Sequence, residues 1–223
     1  MRMRKKSNLD TRILQCDKFL IAYEGTFTNV NEFVKEKAYV DAKLVFKNDN
    51  PIDLDLGCGL GGFALKIAQL NPNRNYIGVE KFSNVIIGAI DKARKADVEN
   101  LKFLNCRCEC LEKYIKPHSI DNIYLNFSNP LPNKRDTRQR LTNPRFLAIY
   151  KDMLKEDGVL IQKTDDRSFF EYSIQMYKEN GWNILDECWD LAALNDTNNI
   201  ITEHEQKYMD EGKLIYRVIV KPN

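Results

Sequence analysis

The sequence contains no long run of hydrophobic residues. No stretch approaches the roughly 20 residues that a membrane-spanning helix needs, and no apolar segment of the signal-peptide type stands at its start. The six cysteines are therefore expected to be reduced thiols, as is usual in the cytosol. We predict a cytoplasmic protein without a membrane partner.

The sequence also lacks pairs of cysteines or histidines with the spacing that is typical of a metal site. Cys106, Cys108 and Cys110 alternate, which would place all three on one face of a strand, but no further ligand pair with CxxC-like spacing accompanies them. Small buried side chains are the simpler interpretation of these cysteines. Neither His118 nor His204 makes a convincing catalytic residue, so surface or capping roles are expected for both. We predict no metal site.

The chain has little excess charge of either sign. Its 34 Lys and Arg against 32 Asp and Glu leave a net charge of +2, so any affinity for nucleic acid must come from local clusters. Each cluster is either a solvated face or a contact for phosphates. The two clusters are Arg2, Arg4, Lys5, Lys6 and Arg12, and Lys134, Arg135, Arg138, Arg140 and Arg145. With 223 residues, we predict a basic, mobile arm over residues 1–30 and a single domain over residues 31–223.

Residues 52–62 are the most informative stretch that is present. An apolar run that includes Asp55 breaks into glycines at Gly57, which predicts a buried strand, a tight turn and the start of a helix. Gly57 and Gly59 leave bare backbone against which a ligand can lie, and a helix start favours an electron-rich ligand group. A second apolar run ends at Glu80, whose carboxylate can accept both hydroxyls of a ribose. These features indicate a nucleoside cofactor.

The glycine pattern by itself fits two cofactors. Gly57, Gly59 and Gly62 also satisfy the G-x-G-x-x-G pattern of NAD-binding proteins. A carboxylate at Asp55 can meet the ammonium group of a methionine moiety, which NAD lacks. The residues therefore favour S-adenosylmethionine, and a nicotinamide-dependent oxidoreductase stays open as an alternative that rests on the glycines alone.

Strand and helix patterns alternate after Pro51. Such alternation predicts a parallel sheet with right-handed crossovers, whose ligands bind outside the carboxyl ends of the strands. The predicted strands are 52–56, 75–80, 101–106, 121–126, 159–163, a strand near 182–189 and 214–220. The predicted helices are 31–47, 61–70, 83–97, one that begins at Asn143-Pro144, and one that begins with a capping box of Ser168 and Glu171.

Polar groups follow the later strands as well. The strand that ends at Asn126 runs into a loop stiffened by two prolines, and the next strand ends near Asp165. A loop with Thr202 and Glu205 can fold over these groups. Simpler interpretations exist, since Asp165 can cap the following helix and Thr202 with Glu205 can form a capping box.

The combined motifs resemble the bacterial tRNA (guanine-N7)-methyltransferases, which methylate the variable-loop guanine at position 46 of tRNA. The most specific pieces are Leu-Asn-Phe-Ser at 125–128, Lys-Thr-Asp at 163–165 and Thr-x-x-Glu at 202–205, and the likeness covers nearly everything after residue 30. The resemblance implies an α/β, Rossmann-like class I methyltransferase fold, with a mostly parallel seven-stranded sheet and helices on both faces. It implies S-adenosylmethionine as cofactor and tRNA as partner, bound by a monomer or homodimer.

The resemblance also implies a set of site residues. Asp165 and Asn129 would be catalytic. Contacts with the cofactor are implied for Asp55, Gly57, Gly59, Gly61, Glu80, Arg107, Asn126 and Asn129. Contacts with the substrate are implied for Asn133, Lys134, Arg135, Arg138, Arg140, Asp165, Thr202 and Glu205.

Three positions depart from the family pattern. Asn129 stands where the family has an aspartate, Asn133 where it has a lysine, and Arg107 where an acid is expected to hold the adenine. The lost acid and cation support a second hypothesis, a catalytically weak or inactive relative that binds S-adenosylmethionine and RNA. Because N7 of guanine has a lone pair in the ring plane, its attack needs no general base, and an active enzyme is the leading prediction.

Overall fold

The computed structural model describes residues 8–16, 18–23 and 29–223. They form an α/β fold with eight strands in a mostly parallel sheet. The chain divides into two compact units, Met1–Lys116 and Pro117–Asn223. Among the described helices, none is long and apolar enough to cross a lipid bilayer.

The first unit is built around four parallel strands. The strands are β1 Leu20–Tyr23, β2 Ile52–Leu56, β3 Asn75–Val79 and β4 Leu101–Asn105. The helices are α1 Leu9–Leu14, α2 Val30–Lys35, α3 Ala42–Phe46, α4 Gly62–Leu70, α5 Ser83–Lys95 and α6 Leu111–Tyr114, with a short 3-10 helix at Cys108–Cys110. Neighbouring strands follow the order β1-β4-β3-β2, and each pair is parallel.

The pattern of hydrophobic residues explains which faces of the strands and helices are buried in this unit. All residues of β3 and β4 are buried, as expected of strands in a parallel sheet that is covered on both faces. Helix α5 buries an apolar stripe that includes Ile86, Ile87 and Ile90, while its last turn is basic. Leu9 and Ile13 of α1 pack against Ile87. The first described helix is therefore part of the core of this unit.

The second unit combines one parallel strand pair with two antiparallel pairs. Its strands are β5 Ile120–Asn126, β6 Leu154–Thr164, β7 Trp182–Cys188 and β8 Tyr216–Pro222. Its helices are α7 Pro144–Met153, α8 Arg167–Glu179, α9 Leu191–Leu194 and α10 Glu203–Asp210, with a 3-10 helix at Lys134–Gln139. Strand β5 is parallel to β6, and β8 pairs antiparallel with both β6 and β7.

Most of the predicted elements of the sheet are confirmed to within a few residues. Helix α7 begins as predicted, because the Asn143 side chain accepts the N–H of Arg145 and Pro144 occupies the first turn. Strand β6 is longer than predicted, because it begins at Leu154 and the prediction began at residue 159.

The sheet has eight strands instead of seven. The additional strand, β1, lies in the stretch that we expected to be a mobile arm, and it pairs with β4. Helix α1 belongs to the same stretch. Residues 1–7, 17 and 24–28 of the expected arm lie outside the described residues.

Three other local predictions were wrong. The expected helix over 31–47 is two short helices, and the Asp41 side chain caps the second by accepting the N–H of Leu44. Cys108–Cys110 form a 3-10 helix, so the three alternating cysteines do not share a strand face. Helix α8 is capped by Asp166, which accepts the N–H of Phe169 at 2.7 Å, and Ser168 lies inside the helix.

Candidate functional site

The turn between β2 and α4 leaves open space above its backbone. Gly57 and Gly59 have φ angles of +77° and +56°, which glycine adopts without strain. Among the described residues, a Cβ on Gly57 would meet nothing within 4 Å, and one on Gly59 would meet only the Gly57 carbonyl at 4.0 Å. The amides of Gly57 and Cys58 both donate to the Val79 carbonyl, so these two N–H groups tie the turn to β3.

Gly61 has a different role from the other two glycines. A Cβ on Gly61 would stand 2.7 Å from the Cβ of Ala89. Glycine is needed here because α5 approaches the turn closely. The structure thus explains Gly61 by packing, whereas the open space above Gly57 and Gly59 suits a ligand.

Two buried carboxylates stand at the ends of adjacent strands. Asp55 belongs to β2 and Glu80 follows β3, and both are more than nine-tenths buried. The Phe82 amide donates to Oε1 of Glu80 at 2.8 Å, and the Asn105 side chain donates to the Glu80 carbonyl at 2.6 Å. These bonds fix the backbone and one carboxylate oxygen of Glu80 at the carboxyl edge of β3.

The pKa of the Cys58 thiol reflects the negative charge of Asp55 and Glu80. Burial raises the pKa of Cys58 well above its usual range, and the carboxylates of Asp55 and then Glu80 raise it further. Both acids therefore act on the same turn, which is suited to a ligand that carries positive charge. Arg107 follows β4 by two residues and begins the 3-10 helix, so it lies at the end of the next strand of the sheet.

In the second unit, β5 ends in buried polar groups. Both polar side-chain atoms of Asn126 and the hydroxyl of Ser128 are buried, and no other described residue offers them a hydrogen bond. Buried polar groups in native proteins are nearly always hydrogen-bonded, so a ligand or water is expected here. Asn129 is exposed, and its side-chain oxygen accepts the amide of Leu131 at 3.1 Å.

Arg140 is engaged in contacts within the second unit, and its predicted contact with the substrate stays a prediction. It is 9% exposed, and its guanidinium donates to the carbonyls of Pro130 at 2.8 Å and Leu131 at 3.3 Å. The same group lies 4.4 Å from the centre of the Tyr172 ring. Arg140 therefore holds the proline loop to α8.

The other basic residues of this segment are exposed. Lys134, Arg135 and Arg138 lie on the short 3-10 helix, directly after Asn133. Asn133 donates to Asp136 at 3.2 Å. The three cations form a solvent-facing basic surface that can meet phosphates.

Asp165 is not the helix cap, because Asp166 fills that position. Its half-buried carboxylate accepts a hydrogen bond of 3.1 Å from Lys213, which raises the pKa of Lys213. The contact of Asp165 with a substrate stays a prediction.

Glu205 and Thr202 have structural roles at the start of α10. They form a capping box, with the Thr202 hydroxyl accepting the Glu205 amide at 2.9 Å. The Glu205 carboxylate also accepts hydrogen bonds of 2.6 Å from Lys163 and 2.6 Å from Asn199. Glu205 is only 1% exposed, and its contact with a substrate, like that of Thr202, stays a prediction.

Sequence reasoning missed two of the cations that organise this region. Lys163 also donates to the Ile200 carbonyl at 3.0 Å, and Arg217 donates to Asp196 at 2.5 Å and to Asp186 at 3.0 Å. Lys163 lies in the Lys-Thr-Asp motif and Arg217 in the predicted strand 214–220, but their partners are far away in sequence. Only the three-dimensional structure shows that they fix the loop before α10.

Comparison with known proteins decides the family. A family model described as "Putative methyltransferase" matches residues 49–218. A tRNA (guanine-N(7)-)-methyltransferase of Listeria monocytogenes serotype 4b (strain F2365) is 44% identical over 177 residues, which is 79% of this chain and 83% of that protein. One from Bacillus cytotoxicus is 38% identical over 221 residues, which is 99% of this chain and 97% of that protein. The chain belongs to the bacterial tRNA (guanine-N7)-methyltransferase family.

Solved structures of methyltransferases share the α/β fold described above. The 16S rRNA methyltransferase KamB superposes with a TM-score of 0.60 at 16% identity, covering 84% of this chain and 96% of that chain. As a member of this methyltransferase family, the chain is an S-adenosylmethionine-dependent enzyme, and the oxidoreductase alternative is excluded. In the described part of the chain, no group of three or more His, Cys, Asp or Glu is arranged to hold a metal ion.

Proposed function

We propose that this enzyme transfers a methyl group from S-adenosylmethionine to N7 of the guanine at position 46 in the variable loop of tRNA. The observation that carries the proposal is the 38% identity to a tRNA (guanine-N(7)-)-methyltransferase over 99% of this chain. The similar proteins are methyltransferases by name. This does not favour the second hypothesis, in which the present protein binds S-adenosylmethionine and RNA without catalysis. We place the protein in the cytoplasm, as a monomer or homodimer. Residues 31–223 would form its single methyltransferase domain.

Features of the first unit suit the cofactor. Open backbone at Gly57 and Gly59 admits a ligand, and Asp55 and Glu80 would hold the methionine ammonium and the ribose hydroxyls. Arg107, which follows β4, would contact the adenine. S-adenosylmethionine supplies an electrophilic methyl group on a sulfonium. In the second unit, the buried Asn126 amide, which no other described residue hydrogen-bonds, supports a polar contact with a ligand, and Asn129 would act beside it.

The residues of the second unit would orient the acceptor. N7 carries a lone pair in the plane of guanine, so no residue has to remove a proton, and the task is placement. The Asp165 carboxylate can accept hydrogen bonds from N1–H and the exocyclic amine, which adenine cannot offer in the same pattern. Its negative charge also stabilises the cationic product base.

The exposed basic surface would bind the RNA backbone. Lys134, Arg135 and Arg138 offer cations to phosphates, and Asn133 offers an amide beside them. Thr202 and Glu205 would act indirectly, by fixing the start of α10. Affinity for tRNA should therefore fall steeply as the salt concentration rises.

One assay tests the proposal. Unmodified tRNA is incubated with the protein and methyl-labelled S-adenosylmethionine, and then treated with borohydride and aniline, which cut the chain at 7-methylguanine. We expect label and scission at position 46, and neither in a transcript with adenine there. Label without scission would mean another atom or base. Binding of both ligands without label would support the inactive relative.

A further inference from the structure

Three aromatic side chains of the second unit lie together at the end of β5. The Phe127 ring is 6.2 Å from the His204 ring, with 19° between the planes, and 5.7 Å from the Tyr208 ring. His204 and Tyr208 are 6.3 Å apart. His204 is exposed and the other two are half-buried, so this aromatic wall of Phe127, His204 and Tyr208 faces solvent in part.

The backbone holds Phe127 in an unusual conformation. Its φ angle is +51°, a left-handed value that is uncommon for a bulky residue. The Phe127 amide donates to the Lys163 carbonyl at 2.9 Å, which continues the pairing of β5 with β6. Such strain persists only where the surroundings enforce it, and it concentrates at functional sites.

Charged and polar groups border the aromatic wall. The Lys213 ammonium lies 4.2 Å from the centre of the Tyr208 ring and also donates to Asp165 at 3.1 Å. The Lys207 ammonium lies 5.7 Å from the same ring. Ser128, next to Phe127 in sequence, has a buried hydroxyl to which no described residue is hydrogen-bonded. Aromatic rings with neighbouring cations and unsatisfied polar groups are typical of surfaces that bind unstacked bases.

We infer that the aromatic wall stacks a tRNA base that has left its helical stack, with Asp165 beside it. This inference rests on the proposed function and names the surface that receives the base. The near-parallel Phe127 and His204 rings can be extended by a third flat ring, while Lys207 and Lys213 neutralise the adjoining phosphates. If the wall only packed α10 onto the loop, removing the exposed His204 ring would not change RNA binding.

The variants Phe127→Leu and His204→Ala test this inference. Each should weaken tRNA binding by at least about fivefold, the lower end expected for loss of one stacking contact. Affinity for S-adenosylmethionine should stay within about twofold of wild type. Tyr39→Leu removes an exposed aromatic ring in the first unit and should change neither affinity. Because His204 is exposed, His204→Ala is expected to fold even if Phe127→Leu does not. The tRNA affinity of His204→Ala then shows whether the aromatic wall binds a base.

A fluorescent base separates this inference from the proposed function. Transcripts with 2-aminopurine at position 46 should be quenched more by wild type than by His204→Ala at saturation, because stacking quenches the probe. Equal fluorescence, or tRNA affinity of His204→Ala within about twofold of wild type, would overturn the wall as a base site. Failure of the proposed function would appear instead as absence of methylation at guanine 46 by the wild-type protein.

Discussion

Lys163 donates a 2.6 Å hydrogen bond to Glu205, and the two side chains are only 5% and 1% exposed. Removing water from two charges is unfavourable, so such a pair persists where further hydrogen bonds satisfy it. Here Asn199, the Ile200 carbonyl and the Thr202 amide complete the set. The pair thus anchors the loop before α10 to β6.

The first prediction concerns this buried pair. Glu205→Ala leaves the Lys163 ammonium buried without its acid, so the free energy of unfolding should fall by about 3–5 kcal/mol in urea denaturation. Replacing both residues, with Lys163→Met and Glu205→Leu, should recover part of that loss. Asp210→Asn on the exposed end of α10 should change stability by less than about 0.5 kcal/mol. Unchanged stability of Glu205→Ala would contradict the anchoring role.

The second prediction separates two arginines of the same segment. Arg140→Ala removes two hydrogen bonds to carbonyls and a stacked guanidinium, and should destabilise the protein by about 2–3 kcal/mol. Arg138→Ala, at an exposed position, should leave stability unchanged. It should reduce the slope of log Kd for tRNA against the logarithm of salt concentration by about 1, the change expected for loss of one phosphate contact. The opposite pattern, with Arg140→Ala altering only the salt dependence, would restore Arg140 as an RNA contact.

Local sequence signals predicted the structural features that lie within one element. Asp55 and Gly57 follow from an apolar run that ends in glycines, and Asn143-Pro144 is a self-contained helix start. The capping box of Thr202 and Glu205 was one of the alternatives in the sequence, but the ion pair of Glu205 could not be predicted in this way, because its partner Lys163 is 42 residues away. Strand β1 was missed because a four-residue edge strand carries almost no periodicity.

The third prediction uses two glycines with matched geometry. Gly57 and Gly212 have φ angles of +77° and +72°, and in the part of the chain that the structure describes no neighbour lies within 4 Å of where a Cβ would stand on either residue. Alanine therefore imposes similar backbone strain at both positions, about 1–2 kcal/mol. Gly57→Ala should also weaken S-adenosylmethionine binding by about tenfold or more in calorimetry, because its methyl group enters the ligand space. Equal cofactor affinities in the two variants would remove Gly57 from the cofactor site.

The fourth prediction concerns pH. The hydrogen bond from Arg217, followed by that from the Asn198 amide, lowers the pKa of Asp196 below its ordinary value of 3.8. A carboxyl group whose pKa is depressed by folding stabilises the protein above its unfolded pKa, and this stability is lost as the pH falls through the folded pKa. Asp196→Asn should therefore lower stability at about pH 6 and flatten the loss below about pH 4. Asp157→Asn, at a side chain that is 97% exposed, should keep the wild-type pH profile in urea denaturation.

The last prediction tests the departure at position 129. Asn129 accepts the Leu131 amide through its side-chain oxygen, and an aspartate can accept the same hydrogen bond, so Asn129→Asp should keep the loop intact. The added carboxylate can stabilise the positive charge that moves onto the purine, and kcat for tRNA methylation should rise by roughly three- to tenfold, or about 0.7–1.4 kcal/mol. Asn73→Asp makes the same change of charge at an exposed turn of the first unit and should leave kcat unchanged. If Asn129→Asp has the kcat of wild type while its melting temperature is preserved, the loop has no part in the chemical step, and its contribution is confined to binding.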